Sequence, residues 1–213
     1  MIRGYILDLD GTVLDSMNVW EDVAQRYLAS KGIQAKANLT KVLAPMSLNQ
    51  SSKYLKKEYG LSESSTQIIK EINATIAKQY KEELPLKYGV KEFIERCCEQ
   101  HIKIAILTAS NIELTSAALK RCGIYEQFSF IMTCEEMKMD KTNPNIYEAA
   151  LKKLALEKED CIFIEDSYHA IACLKSIGCR CIAVYDKANE KNWIKIKQCS
   201  DVSVLDLSKW EVS

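Results

Sequence analysis

The spacing of apolar positions divides the chain into a strand, a long helical stretch, and then a regular alternation of helix and strand. Gly4 to Leu9 is short, apolar and bounded by Gly11, the pattern of a strand that ends in a sharp turn. From Asp15 the period is helical for about seventy residues. Val19, Trp20, Val23, Tyr27 and Leu28 form one apolar face that Gly32 stops. Ser47 with Gln50 three residues later predicts a capped helix carrying Leu48, Leu55 and Tyr59 and ending at Gly60. A third helix, from about Ser65, sets Ile68, Ile69, Ile72, Ile76 and Tyr80 on one side. No strand pattern interrupts this stretch.

From Leu84-Pro85 helix and strand alternate to the carboxyl end. Residues 90–100 read as a helix through Val90, Phe93, Ile94 and Cys97, and His101 to Leu107 as a buried strand. Ser110 with Glu113 predicts the cap of the next helix, which Gly123 closes. Phe130 to Thr133 is a third strand and Pro144 opens a further helix. Cys161 to Ile164 and Arg180 to Val184 are two more strands, separated by a helix ending at Gly178. Beyond Asn189 a helix, an edge strand near Val202 to Val204 and a tail are expected. Such alternation predicts an α/β fold, a doubly wound parallel sheet covered on both faces, with ligands at the carboxyl ends of its strands.

The residues that follow each strand are therefore the ones to inspect. Asp8 and Asp10 end the first strand, and at i and i+2 they project to the same side and repel unless something positive lies between them. An acidic turn or a calcium loop would show the same spacing, but the remaining calcium-loop ligands are absent. Thr108-Ala109-Ser110 follows the second strand, with a hydroxyl and main-chain amides suited to phosphate oxygens. Lys141 precedes the Pro144 helix, and Glu165-Asp166-Ser167 follows the apolar run Cys-Ile-Phe-Ile. Carboxylates crowded together need a hard cation, and oxygen donors around a phosphate favour Mg²⁺.

Composition narrows the partners. Lys plus Arg equals Asp plus Glu at 29 each, so no global field points to nucleic acid or an anionic membrane, and a small-molecule partner is expected. At 213 residues and 47% hydrophobic content the chain is one large domain, or one domain with an insert. No apolar run approaches the ~18 residues of a membrane span and no signal-peptide pattern opens the chain, so a cytoplasmic protein, monomeric or weakly dimeric, is expected. Its nine cysteines contain no Cys-x-x-Cys pair and fall mostly in apolar patterns, as reduced, buried small hydrophobes.

Asp8-Leu-Asp10-Gly11-Thr12, followed by Val13-Leu14 and Asp15-Ser16, closely resembles the first motif of the haloacid dehalogenase (HAD) superfamily. Thr108, Lys141 and Glu165-Asp166 stand where its later motifs would lie. The resemblance implies a Rossmann-like core, 1–15 and 84–213, with an all-helical cap domain inserted at 16–83. It implies that Asp8 is a nucleophile forming an aspartyl-phosphate and that Asp10 is the acid-base group. Thr108 and Lys141 would hold and neutralise the phosphoryl group, together with Gly11, Thr12 and Ala109. Mg²⁺ would be bound by Asp8, the Asp10 main-chain carbonyl and Asp166, with Glu165 beside them. Two positions depart from the family pattern: Asn145 replaces an acid, read as a support position that still hydrogen-bonds, and Ala170 replaces a glycine. His169 reads as a helix-surface or supporting residue.

The second acid, Asp10, disfavours dehalogenase and phosphonate chemistry within the superfamily. β-Phosphoglucomutase-type members carry a cap histidine that controls the acid-base aspartate, and Trp20 stands at that place here. Leu43 to Leu48 is apolar where such mutases have basic residues. The reading is a Mg²⁺-dependent phosphatase of a small, sugar-phosphate-type metabolite, with a mutase as the alternative and an inactive binding module behind both. It also expects no device that holds Asp10 out of line.

Overall fold

The computed structural model describes residues 1–43 and 46–212. Six strands form one parallel sheet: β1 (Gly4–Leu7), β2 (Lys103–Thr108), β3 (Ile131–Thr133), β4 (Cys161–Glu165), β5 (Arg180–Val184) and β6 (Val202–Val204), in the order β3-β2-β1-β4-β5-β6. The chain builds outward from β1 to β3 on one side, then crosses back to begin β4 on the other. Strand order therefore reverses between β1 and β4, where two crossovers diverge and leave a crevice at the carboxyl ends. Both faces of the sheet are covered, as the unbroken apolar runs of β1 and β4 require.

Alternation along β1 sends Tyr5 and Leu7 to one face and Ile6 to the other. The first face packs on α6 (Val90–Glu99) and α7 (Ile112–Arg121), where Tyr5 meets Phe93 edge to face at 5.1 Å. The second packs on α9 (Asn145–Leu154), α10 (Tyr168–Ser176) and α11 (Trp193–Cys199), with Tyr147 edge-on to Phe163. Cys161, Cys179 and Cys181 are buried in that second core, and all nine cysteines are free thiols. A short α8 (Cys134–Met137) follows β3.

Between β1 and α6 lie α1 (Met17–Glu21), α2 (Val23–Ser30), α3 (Leu39–Leu43), α4 (Leu48–Tyr59) and α5 (Ser65–Glu82). The capping box at Ser47 and Gln50 forms, and Gly60 ends α4 in the left-handed region. The helix expected through Val19 and Leu28 is broken in two at Asp22, a poor interior helix former, which leaves helical dihedrals and ion-pairs with Arg26. The short α3 has no counterpart in the periodicity reading. Ser110 does not cap α7; Asn111 does, accepting from the amides of Glu113 and Leu114.

The segments that enter and leave this helical insertion run side by side. Leu14 pairs antiparallel with Leu86, the Asp15 amide donates to Pro85 O at 3.0 Å, and the Lys87 amide donates to Val13 O at 2.9 Å. Arg121 of α7 reaches the main-chain carbonyls of Tyr80 and Leu84, bracing the end of α5 against the core. Among the described residues no helix is long and apolar enough to cross a membrane.

Two glycines separate backbone strain from steric conflict. Gly60 at φ +63° has open space where a Cβ would stand, whereas at Gly89, φ +80°, a Cβ would lie 2.1 Å from the Ser208 amide. Gly60→Ala should cost about 1 kcal/mol, the strain of a left-handed residue. Gly89→Ala should cost about 2–4 kcal/mol, because backbone must also move. Urea midpoints of the two variants check the difference; equal losses would contradict it.

Candidate active site

The crevice at the strand switch collects three carboxylates. Asp8 follows β1, Glu165 ends β4 and Asp166 follows it, and one oxygen from each lies within 4.8 Å of the others. Glu165 and Asp166 are 3% and 2% exposed, so water does little to screen them. At an effective dielectric of ~20, two charges ~4 Å apart repel by about 4 kcal/mol. Lys141 supplies the compensation: its Nζ lies 2.5 Å from Asp8 Oδ1 and 2.5 Å from Glu165 Oε1. The Tyr147 hydroxyl donates to Lys141 O at 2.7 Å and fixes the loop that carries it.

One ammonium does not balance three acids. Burial first, and Glu165 next, push the Asp8 carboxyl up to about 7 against the opposing pull of Lys141. Burial and the charges of Asp8 and Glu165 raise Asp166 well above the usual carboxylate range. Burial disfavours the charged form of Lys141, but Asp8 and Glu165 outweigh it and hold the ammonium charged. Glu165 Oε2 is buried without a hydrogen-bond partner among the described residues, whereas Asp166 Oδ2 accepts from Asn189 Nδ2 at 2.8 Å. Excess carboxylate charge, an orphaned buried oxygen and oxygen-only donors fit a hard divalent cation.

Gly11 is where the backbone must pass Asp166. Its φ is +80°, and a Cβ there would lie 2.3 Å from Asp166 Oδ2, so side chains are excluded by conformation and by space. The Gly11 and Thr12 amides donate to the carbonyls of Leu14 and Leu9 within the turn. The Thr12 hydroxyl is fully buried with no partner among the described residues. Lys87, which nothing in the sequence separates from other lysines, clamps this turn. Its Nζ donates to Gly11 O and Tyr185 O, each at 2.7 Å, and to Asp186 Oδ2 at 2.8 Å.

Asp10 sits in different surroundings, among hydroxyls. Ser16 Oγ donates to Asp10 Oδ1 at 2.6 Å, the Tyr80 hydroxyl donates to the same oxygen, and Ser110 Oγ donates to Oδ2. Trp20 Nε1 in turn donates to the Tyr80 hydroxyl at 2.8 Å. Burial, followed by the Asp10 charge, raises the Tyr80 phenol well above its ordinary value, so it stays protonated. Three hydroxyls thus hold Asp10, and Trp20 reaches it through Tyr80. That partnership spans distant positions of the chain and no local motif announces it, although Ser16 was visible inside the first motif.

The remaining expected residues divide. Thr108 ends β2, fully buried, and its Oγ1 accepts from the Ser110 amide at 2.9 Å, leaving its own proton to donate. Ala109 beside it is exposed. Asn145 is exposed at the start of α9 and its amide donates to Asn143 Oδ1, so support of the lysine loop comes from Asn143 and Tyr147 instead. Ala170 is buried and His169 is exposed on α10, in contact with the Tyr168 ring. Met46, Ser47 and Leu48 are uncharged and half-buried; Ala44 and Pro45 of the same segment lie outside the described residues.

Two acids two residues apart thus occupy contrasting environments, one amid carboxylates and a lysine, the other amid hydroxyl donors. Such a pair can divide nucleophilic and proton-transfer work. Comparison with known proteins agrees in scale and kind. The chain is 25% identical over 188 residues to the putative phosphatase YhcW of Bacillus subtilis, covering 88% of this chain and 85% of that one. It is 23% identical over 185 residues to hexitol phosphatase B of Escherichia coli, covering 86% and 83%. The crystal structure of CbbY from Rhodobacter sphaeroides in complex with phosphate superposes with a TM-score of 0.82 at 18% identity, over 98% of this chain and 96% of that one. The profile of the haloacid dehalogenase-like hydrolase family matches residues 5–184, and the chain belongs to that family.

Proposed function

We propose that this phosphoric monoester hydrolase acts on small phosphorylated metabolites of the sugar-phosphate type and works through an aspartyl-phosphate on Asp8. The observation that carries the reading is the contrast at the strand switch: Asp8 ion-paired to Lys141 beside Glu165, with Asp10 held by three hydroxyls. The names of hexitol phosphatase B and YhcW support the substrate class and the reaction.

In this reading the Asp8 carboxylate attacks phosphorus, and the ester oxygen departs with a proton from Asp10. Asp10, now ionised, takes a proton from water, which attacks the aspartyl-phosphate and releases inorganic phosphate. Thr108 donates its free hydroxyl proton to the phosphoryl group, and Lys141 cancels the repulsion between that group and Asp8. Asp8, the Asp10 main-chain carbonyl and Asp166 would hold Mg²⁺, with Glu165 beside them. The ion would supply positive charge that polarises the phosphoryl oxygens. Uncharged Trp20 and Met46 to Leu48 suit a monophosphate better than a bisphosphate.

Asp8→Asn should abolish turnover and leave no phosphoenzyme to trap, while Asp10→Asn should slow turnover by about 10²–10⁴, the range for a lost acid-base group. Equal trapping of Asp8→Asn and the parent with beryllium fluoride would refute the nucleophile role.

The raised Asp8 carboxyl gives the metal-free protein a pH signature. A folded-state value of about 7, above that of an unfolded aspartate, favours the protonated form in the folded protein. This contribution to stability is present at low pH and is lost as pH rises from about 4 through about 7. In chelator, Tm should therefore fall between about pH 5 and about pH 8, and added Mg²⁺ should raise Tm more at the higher pH, where no proton competes. A Mg²⁺ effect equal at both would count against Asp8 as a ligand.

Hydrolysis and mutase chemistry part on one substrate. With β-glucose 1-phosphate, phosphate release should exceed isomer formation and need no bisphosphate. Glucose 6-phosphate appearing faster than phosphate, and only after bisphosphate priming, would establish the mutase.

A further inference from the structure

We propose that Tyr80 is a positioning residue for Asp10, and that Trp20 sets the direction of its hydrogen bond. The inference rests on the hydrolytic role proposed for Asp10 and adds a component drawn from the helical insertion.

The direction follows from chemistry. An indole N–H only donates, so the Tyr80 oxygen, which lies 2.8 Å from Trp20 Nε1, must accept there. Its own hydroxyl proton is then directed at Asp10 Oδ1. A hydroxyl with a free torsion, such as that of Ser16, can turn toward another acceptor, and Leu14 O lies 3.4 Å from it. The phenol is more constrained. Its ring is fully buried, its main-chain carbonyl accepts from Arg121, and its helix packs on the core helix α7.

Two residues from opposite ends of the insertion, Trp20 in α1 and Tyr80 in the last turns of α5, thus converge on a single carboxylate of the sheet. With Oδ1 engaged by Tyr80, the carboxylate plane is fixed and Oδ2, paired with Ser110, is the oxygen left for proton exchange with substrate. Tyr80 itself has no need to touch substrate. Its effect should appear in the steps in which Asp10 transfers a proton, and not in those that need none.

The leaving group isolates that step. Glucose 6-phosphate must expel an alkoxide, which requires a proton, whereas 4-nitrophenyl phosphate expels a stable phenolate without one. The kcat/KM of each reports events up to formation of the phosphoenzyme. Tyr80→Phe, which keeps the ring and its packing, should lower the ratio of glucose 6-phosphate to 4-nitrophenyl phosphate kcat/KM by about tenfold, a fraction of the full acid-base contribution. Trp20→Phe should lower it in the same direction and by less. A parallel fall on both esters, or no change on either, in a variant with the parent's circular dichroism would overturn the positioning role. Failure of the parent to hydrolyse either ester would overturn the hydrolase reading itself, and this one with it.

Discussion

Three carboxylates gathered around one lysine, in a crevice that water hardly reaches, are the constraint on which the rest of the structure depends. Asp8, Glu165 and Asp166 arrive from two adjacent strands whose register brings Leu7 level with Ile164, so the parallel ladder itself forces the acids together. Lys141, fixed by Tyr147, makes the crowd tolerable, and Gly11 lets the first turn pass Asp166 where any side chain would collide. Lys87 ties that turn to the end of β5. Each of these contacts serves an arrangement that folding alone would disfavour, since isolated buried charge is costly and the compensation is incomplete.

Against this charged cluster stands the neutral surrounding of Asp10. Hydroxyls rather than cations hold it, and they come from both parts of the molecule: Ser16 and Tyr80 from the entrance and far end of the insertion, Ser110 from the loop after β2. The helices of the insertion therefore contribute to the surroundings of Asp10 as well as to the apolar core. Tyr80 is buried in the same apolar cluster as Tyr5 and Leu7, and half-buried Trp20 packs against it, which makes that contribution part of the common core.

Much of this could be read from the residues alone, because the decisive signals are local. A strand ending in Asp8 and Asp10, the capping box at Ser47, the break at Gly60 and the apolar run before Glu165 depend on neighbours a few positions away. What escaped depends on partners far along the chain. Tyr80 presented itself as one more apolar position of a helix face, and Lys87 as one more lysine, because their roles arise only when Asp10 and Gly11 are brought against them. Ser110 was misassigned for a related reason: Asn111 next to it is an equally good cap, and the choice between them was made by Asp10, which claims the serine hydroxyl.

The paired segments at Leu14 and Leu86 have a consequence for how such a chain can diversify. Because the insertion leaves the sheet and returns to it within one hydrogen-bonded step, the sheet itself registers the length of the insertion only as the closure of a loop. The entropy of closing a loop grows with the logarithm of its length, roughly 0.6 kcal/mol for each doubling. Helices away from Trp20 and Tyr80 can be lengthened or added there at small expense to the stability of the sheet, while the strand ends that carry Asp8 and Asp166 and the loop that carries Lys141 keep their places. Length is free to drift on one side of that short pairing, and the sheet on the other side stays fixed.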